Sequence, residues 1–407
     1  MDGLLIGLDL CDDYGQVSVY GRDNVWTIPG VICRAKKQDQ WYIGDEAYSV
    51  NLSGEGVMIE KPASFVRKDK LAEADGESFD GVRLMEEYLN GILNLIKKEC
   101  ETDKVIQMVV ALPHMDSKVM DCLLYCADFL GIPRSRFHVI SREESFLYYV
   151  LSQKKEIWAG QVGLFDFSQR GLRYFEMKVQ RGLKQTTVLS DSEELEEGIN
   201  LDMLESTSGA RLADKALCSC SERLLAKKMF SSILLTGKGF EKPFWASDFM
   251  KVIGKRRKIY SETGLFARGA ARKAADCQEA ETAFPYVMIC EGRLKYTISM
   301  EVIHDEKPTQ LVIAASGDSW YEAKSTLDFI LDNQEKLVFQ IQPLDSRKKY
   351  DVTMKLEGLP KRPNRTTRIQ MKVGFRDENT MAVVVADRGF GELFPASDIV
   401  IRREIAL

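Results

Sequence analysis

Histidine is almost missing from this chain, with three in 407 residues and none beside a cysteine pair. Structural zinc sites draw on clustered Cys and His, so a fold built around zinc is not expected. The nine cysteines are odd in number and spread from Cys11 to Cys290, with close spacing only at Cys122 and Cys126 and at Cys218 and Cys220. That usage suits thiols in a reducing compartment. No apolar run reaches the roughly eighteen residues of a membrane-spanning helix. The opening Met-Asp has no basic stretch ahead of its short apolar segment, so no signal peptide is expected and the chain reads as cytoplasmic, with no membrane partner. A basic surplus is missing too: 56 Lys and Arg stand against 61 Asp and Glu, a net charge of -5. This argues against a nucleic-acid partner, which needs a basic surface. The basic runs Lys255–Lys258 and Arg347–Lys349 read as solvated faces.

What is present fits two or three domains. The first half opens with Leu4-Leu-Ile-Gly-Leu-Asp9-Leu10, a short apolar strand ending in an acid, and Gln16–Tyr20 reads as its hairpin partner. Trp26–Ile32 and Trp41–Asp45 look like further edges of one sheet. Tyr88–Cys100 has helical spacing, Val105–Pro113 reads as a buried strand, and a helix from Lys118 to Leu130 ends at Gly131 with Pro133 beyond. Phe137–Glu144 is a strand running into a helix. The opening then recurs: Gln161-Val-Gly-Leu-Phe-Asp166-Phe167 is a strand ending in aspartate, with Gly171–Val179 as its hairpin partner. Helical segments are expected at Glu193–Glu205 and Ala210–Lys227, a strand and glycine loop at Ile233–Gly239, and a small-residue helix from Phe266 to Ala275. Two similar halves suggest an internal duplication, with a cleft at the carboxyl ends of the strands.

From Phe284 the pattern is all-β, with alternating segments at Leu294–Ile303, Gln310–Ala314, Lys336–Ile341, Tyr350–Leu356, Thr366–Phe375 and Met381–Ala386, as in an antiparallel sandwich. Here Leu356-Glu-Gly-Leu-Pro360, Ile369-Gln-Met-Lys-Val-Gly-Phe375 and Asp377-Glu-Asn379 through Asp387 resemble the substrate-binding β domain of DnaK-type heat-shock chaperones. That domain reads L-x-G-I-P-P-A-P, I-x-V-x-F and D-x-N-G-x-L-x-V-x-A-x-D. The duplicated front half is similar to the ATPase domain of the same family. The resemblance implies a bacterial protein with an α/β, two-lobed, actin-like ATPase domain (a duplicated ribonuclease-H-like fold) followed by an all-β sandwich. The lobes would span residues 1–156 and 157–276, and the sandwich residues 283–407.

The family's phosphate loops read D-x-G-T-T and D-x-G-G-G-T, because glycine lets backbone N–H groups approach phosphate closely. This chain has Asp9-Leu10-Cys11-Asp12-Asp13 in the first loop and Asp166-Phe167-Ser168-Gln169-Arg170-Gly171 in the second. The surviving pair, Asp9 and Asp166, is where the resemblance puts magnesium. Asp12 and Asp13 add charge that repels a triphosphate. Glu143 or Glu144 stands where the family has an acid after the connecting strand, and a water-activating role there is known from the exopolyphosphatase branch. Gly237, Gly239 and Gly269 match the adenosine-side loops, so ATP or ADP with magnesium is the cofactor implied. The short stretch before Ile233 implies a shallower base pocket.

The apolar interdomain linker of the family is replaced by the polar Asp276–Thr282. The sequence ends at Leu407, soon after Phe390–Phe394, with no helical lid. These features lead to a degenerate, non-hydrolysing, chaperone-like protein that binds a protein or peptide, the sandwich edge taking an extended segment. Two alternatives stay open. One is a metal-dependent ATPase using Asp9 and Asp166 with unusual loops. The other is a phosphate-transferring or phosphate-hydrolysing enzyme using Glu143 or Glu144.

Overall fold

The computed structural model describes residues 3–169, 171–182, 185–195, 197–344 and 348–407. Two compact units emerge, Met1–Tyr286 and Val287–Leu407. In the first, β1 (Leu4–Leu10) is buried at every position, as its unbroken apolar run requires. It pairs antiparallel with β2 (Tyr14–Val19), which pairs with β3 (Val25–Pro29). Next, β4 (Val31–Ala35), β5 (Trp41–Ile43) and β6 (Gly56–Glu60) form a separate three-stranded sheet, with helix α1 (Gly44–Leu52) between the last two. The Trp41 strand is therefore not an edge of the first sheet. Pro29 has no N–H to extend the ladder, and any side chain on Gly30 would collide with the Asp12 carbonyl, so the chain leaves the sheet there.

Helix α2 (Pro62–Lys68) and the hairpin β7 (Ala72–Ala74) with β8 (Glu77–Phe79) lead into α3 (Gly81–Cys100). Asp80 caps α3 by accepting from the Arg83 N–H, and the helix buries Leu84, Leu89, Ile92, Leu93 and Ile96. β9 (Val105–Leu112) lies parallel to β1. α4 (Ser117–Phe129) closes at Gly131, whose φ of 68° is the left-handed stop read from the sequence. β10 (Phe137–Ser141) lies parallel to β9 and runs into α5 (Arg142–Leu151). The strand order is β10-β9-β1-β2-β3.

The second sheet repeats that plan. β11 (Gln161–Ser168), β12 (Gly171–Arg181) and β13 (Thr186–Glu194) make an antiparallel meander. After α6 (Thr207–Leu225), β14 (Phe230–Thr236) returns parallel to β11. After α7 (Ser247–Ile253), β15 (Lys258–Ser261) lies parallel to β14, and α8 (Leu265–Asp276) follows. Asp9 pairs with Gln16 on one side and Ala111 on the other, and Asp166 pairs with Arg173 and Thr236. The two aspartates hold equivalent places in two equivalent sheets. Among the described residues of the stretch Glu193–Glu205 the expected α-helix does not form, and Glu193 and Glu194 end β13 instead. Thr186–Ser192 is drawn into the ladder with β12, Gly198 turns with φ 64°, and only a short 3-10 turn at Leu201–Glu205 follows, capped by Asn200.

Helices α5 and α8 lie between the sheets. A side chain on Gly7 of β1 would collide with the backbone of α8, and one on Gly269 of α8 would collide with the Ser145 carbonyl of α5. On the other side Phe175 of β12 meets Phe146 and Phe266, with ring centroids 6.1 and 5.2 Å apart. The polar stretch after α8 is tied to this unit. Asp276 accepts from the Ala283 N–H at 2.8 Å, and Phe284 and Tyr286 meet Tyr148 and Trp158 edge-on.

The second unit opens with β16 (Val287–Ile289) and is otherwise antiparallel. One sheet has the order β18 (Lys307–Ala314), β17 (Tyr296–His304), β20 (Lys336–Pro343), β21 (Tyr350–Lys355). The other has β19 (Ser325–Ile330), β22 (Arg368–Asp377), β23 (Thr380–Gly389), β24 (Val400–Ala406). Phe339, Ile341 and Met354 of the first sheet bury against Met371, Val383 and Val385 of the second, which makes a sandwich. Three strands, β16, β19 and β24, were not read from the sequence. In β24 the run Arg402-Arg403-Glu404 hides the alternation.

Asp387, at the end of β23, has a fully buried side chain. It takes a bidentate pair from Arg362 at 2.8 and 2.8 Å and also accepts from Gly389 N, Ser397 N and Ser397 Oγ. Burial alone would raise its pKa, but these donors hold its carboxyl well below the usual range. The pair's stabilisation is therefore complete above the unfolded-state pKa near 4 and is lost as pH falls further. Arg362→Ala strands the buried carboxylate and is expected to cost about 3 kcal/mol or more. Hydrogen exchange at Gly389 and Ser397 should then rise to the global rate, and unchanged protection there would contradict this.

Candidate functional site

Ser141 ends β10 and caps α5, its Oγ accepting from the Glu144 N–H at 3.1 Å. The first helical residue is thereby Arg142, aimed at the carboxyl ends of β1 and β11. Its Nε and Nη2 each donate to Asp9 at 2.8 Å, and Nη1 reaches Asp166 Oδ2 at 3.5 Å. Nη2 also meets Tyr14 Oη at 3.2 Å, and the guanidinium lies 4.8 Å from the Phe266 ring. The side chains of Arg142, Asp9 and Asp166 are 5%, 0% and 4% exposed. The two aspartates are thus joined by an arginine of the chain itself, which takes up the coordination expected of a metal. Among the described residues no group of three or more His, Cys, Asp or Glu is arranged to hold a metal ion.

The electrostatics follow from this burial. Burial raises the Asp166 carboxyl, Asp9 adds to the effect, and Arg142 and Arg173 pull the other way, leaving it at about 6. Burial by itself would lower Arg142, but Asp9, Tyr14 and Asp166 more than offset that and hold its pKa well above the ordinary value. Burial also raises the Tyr14 phenol and the Cys11 thiol, so neither is an activated nucleophile.

The other sequence candidates disperse. Asp12 pairs with Arg67, and Asp13 with Lys61 at 2.9 Å, so these acids are compensated locally and do not form an open repulsive cluster. Neither Cys11, Asp12 nor Asp13 adopts the positive φ that a glycine cradle uses. Glu143 accepts from Ser192 Oγ at 2.6 Å, and Glu144 is buried at the start of α5. A cleft of about 500 Å³ runs past Asp13, Tyr14, Asp166, Ser168, Gln169 and Gly237. Glu143, Glu144, Asp9, Asp12, Gly239 and Gly269 are not on its wall. A side chain on Gly239 would strike the Phe167 ring, and Gly269 serves the contact of α8 with α5, so both are packing glycines. Arg170 lies outside the described residues, as does Arg347 of the second basic run.

Arg142 was missed because the stretch Ser141-Arg142-Glu143-Glu144 invites attention to its acids. One signal was available. A cation in the first turn of a helix opposes the dipole and calls for an anionic partner elsewhere.

The native state retains a proton on Asp166 that the unfolded chain has already lost between about pH 4 and 6. Stability from this group therefore falls as pH rises through that window and is level above it. The charged groups acting on it are Arg142, Asp9 and Arg173. Asp166→Asn removes the cost of ionisation and is expected to stabilise the protein at pH 7 by about 2 kcal/mol. It should also flatten the profile between pH 4 and 6. Urea unfolding of both proteins across pH 4–7.5 checks this, and a wild type that gains no stability from the substitution at pH 7 would contradict it.

Residues 13–291 match a family described as "Family of unknown function (DUF5716) C-terminal", and residues 293–407 match "Domain of unknown function (DUF8552)". No curated protein shows a significant match to the chain. The first match spans Arg142, Asp166 and well over half of the sequence, beginning just after Asp9, and the chain belongs to the DUF5716 family.

Proposed function

We propose that this protein is a non-hydrolysing, chaperone-like binding protein. Its first unit is a two-lobed body of the actin-like kind with a silent cleft, and its β-sandwich engages an extended protein or peptide segment. The observation that carries the reading is the guanidinium of Arg142 lodged between Asp9 and Asp166. In an ATPase of that plan these two acids would orient magnesium and water. Here their shared face is taken by a fixed cation held by bidentate bonds, the strongest geometry available to the pair. The repeated strand order of the two sheets supports the two-lobed body. The edge strands β18 and β21 of one sandwich sheet, and β19 and β24 of the other, offer main-chain groups for strand addition.

Magnesium-ATP at millimolar concentration is expected to leave the unfolding temperature of the full chain unchanged, because a ligand that does not engage the native state adds no stability. The pure protein should show no magnesium-dependent hydrolysis. Hydrolysis that disappears in both Asp9→Asn and Asp166→Asn would replace this reading with that of a genuine ATPase. For the sandwich, stoichiometric full-length protein should slow the aggregation of a heat-unfolded model client equally with and without magnesium-ATP. Aggregation at the unassisted rate would remove the chaperone-like part of the reading.

A further inference from the structure

A cavity of about 190 Å³ in the first unit is bounded by the end of β2, the end of α5 and one face of α8. Its wall carries three arginines, Arg22, Arg268 and Arg272, and one acid, Glu262. Residues 268 and 272 stand one turn apart on α8, so their side chains share a face. Glu262 is already engaged, accepting from Tyr149 Oη at 2.7 Å and pairing with Arg268 Nε at 2.8 Å. Arg22 Nη2 donates to the Cys100 carbonyl at 3.2 Å, and Arg268 Nη2 donates to the Asp23 carbonyl at 2.6 Å. Arg272 has no hydrogen-bond or ion-pair partner among the described residues, and its guanidinium lies 5.0 Å from the Tyr20 ring. Three guanidiniums against one carboxylate leave the wall with an excess of two positive charges.

A separate observation points into the same cavity. Ser18 is on its wall and only 2% exposed, and its hydroxyl has no hydrogen-bond partner among the described residues. A buried hydroxyl ordinarily has one, since burial without it costs free energy. The direction of the side chain follows from the register. On β2, Gly15 faces α3, where a Cβ would meet Ile92 and Tyr88, and Ser18, three residues on, points to the opposite side. There it stands across the ladder from Gly7, the residue on which α8 rests. The hydroxyl is thereby aimed at the turn of α8 that carries Arg268 and Arg272. Burial raises the Tyr149 phenol most and its Glu262 bond adds to this, while Arg268 and Arg272 act against both, so the two guanidiniums face that wall as well.

Guanidinium groups present paired N–H donors that match phosphate oxygens, and two excess charges match a dianion better than the single charge of a carboxylate. The volume is below the roughly 300 Å³ at which drug-sized pockets begin, which limits the occupant to a phosphate group with a short substituent. We propose that this cavity is a site for a small phosphate dianion, inorganic phosphate or a phosphate monoester, held by Arg22, Arg268 and Arg272 with the Ser18 hydroxyl as the inner donor. It shares no wall residue with the cleft beside Asp166 and does not depend on whether the sandwich binds a protein.

The probe is sodium phosphate, titrated calorimetrically into the full chain at pH 7.5 and constant ionic strength, with glycerol 3-phosphate and sodium acetate as comparisons. Saturable binding of one phosphate per chain with a Kd of about 1 mM or below is expected, with acetate about tenfold weaker or more. Arg272→Gln, an exposed change that breaks no ion pair, should weaken phosphate binding about tenfold. Ser18→Ala removes a hydroxyl with no partner in the protein, so it should weaken binding about threefold without lowering the unfolding temperature. Arg403→Gln, on β24, should have no effect. Tighter binding of glycerol 3-phosphate than of phosphate supports a monoester as the ligand, and the reverse order supports the free ion. Absence of saturable binding up to about 20 mM phosphate overturns the proposal. So does binding left undiminished by Arg272→Gln or by Ser18→Ala, which would mark attraction to basic surface elsewhere, and so does acetate binding as tightly as phosphate.

Discussion

Arg142 links three elements of the first unit. Its backbone begins α5, its bidentate bonds hold the end of β1 through Asp9, and its remaining nitrogen reaches the end of β11 through Asp166. All three side chains are nearly closed to water. Charges in such surroundings are tolerated only when paired, and removing Arg142 or Asp9 leaves buried charge stranded at a cost of several kcal/mol. The ends of the two central strands therefore cannot separate without exposing or unpairing buried charge. In this chain the pair of aspartates works as an internal clasp, where an open acid pair would serve as a metal cradle.

The clasp can form only because the helices between the sheets come close. Gly7 lets α8 lie directly on β1, and Gly269 lets α8 lie directly on α5. The alanines of α8 continue this small-residue contact, with Ala267, Ala270, Ala271 and Ala274 all buried. Gly269, expected from the sequence on the adenosine side of a cleft, serves helix packing here. Phe175 and Phe266 then fill the space on the far side, and Phe266 also lies beneath the Arg142 guanidinium.

A second bidentate pair, Arg362 with Asp387, stands in the sandwich and shows what a fully satisfied version looks like. Asp387 has an arginine to itself and three further donors, and its pKa is depressed. Asp166 shares its arginine with a better-placed rival, and its pKa is raised to about 6. The two sites differ in donor supply, and burial is common to both. The contrast separates an acid with an arginine to itself from one that shares its cation.

Most strands were legible in the amino-acid order because burial imposes a period on them. The continuous runs of β1, β9 and β11 and the alternation of β22 declare their faces, and Gly131 and Pro133 mark the end of α4. The repeat of strand, aspartate and hairpin was likewise readable, since each half must bury its own central strand. Legibility failed where local composition and tertiary pairing disagree, as in charged β24, in the acidic stretch after β13, and at Trp41, whose strand joins the small β5-β4-β6 sheet and whose ring packs edge-on against Phe79 of the β7–β8 hairpin. At the candidate site the sequence identified the acids and not their partners. Asp9 and Arg142 lie 133 residues apart, and no periodicity or spacing rule connects a strand end to a helix start at that separation. Which carboxylates are neutralised, which glycines pack and which line the cleft was decided by the tertiary structure, because charge compensation depends on distance in space.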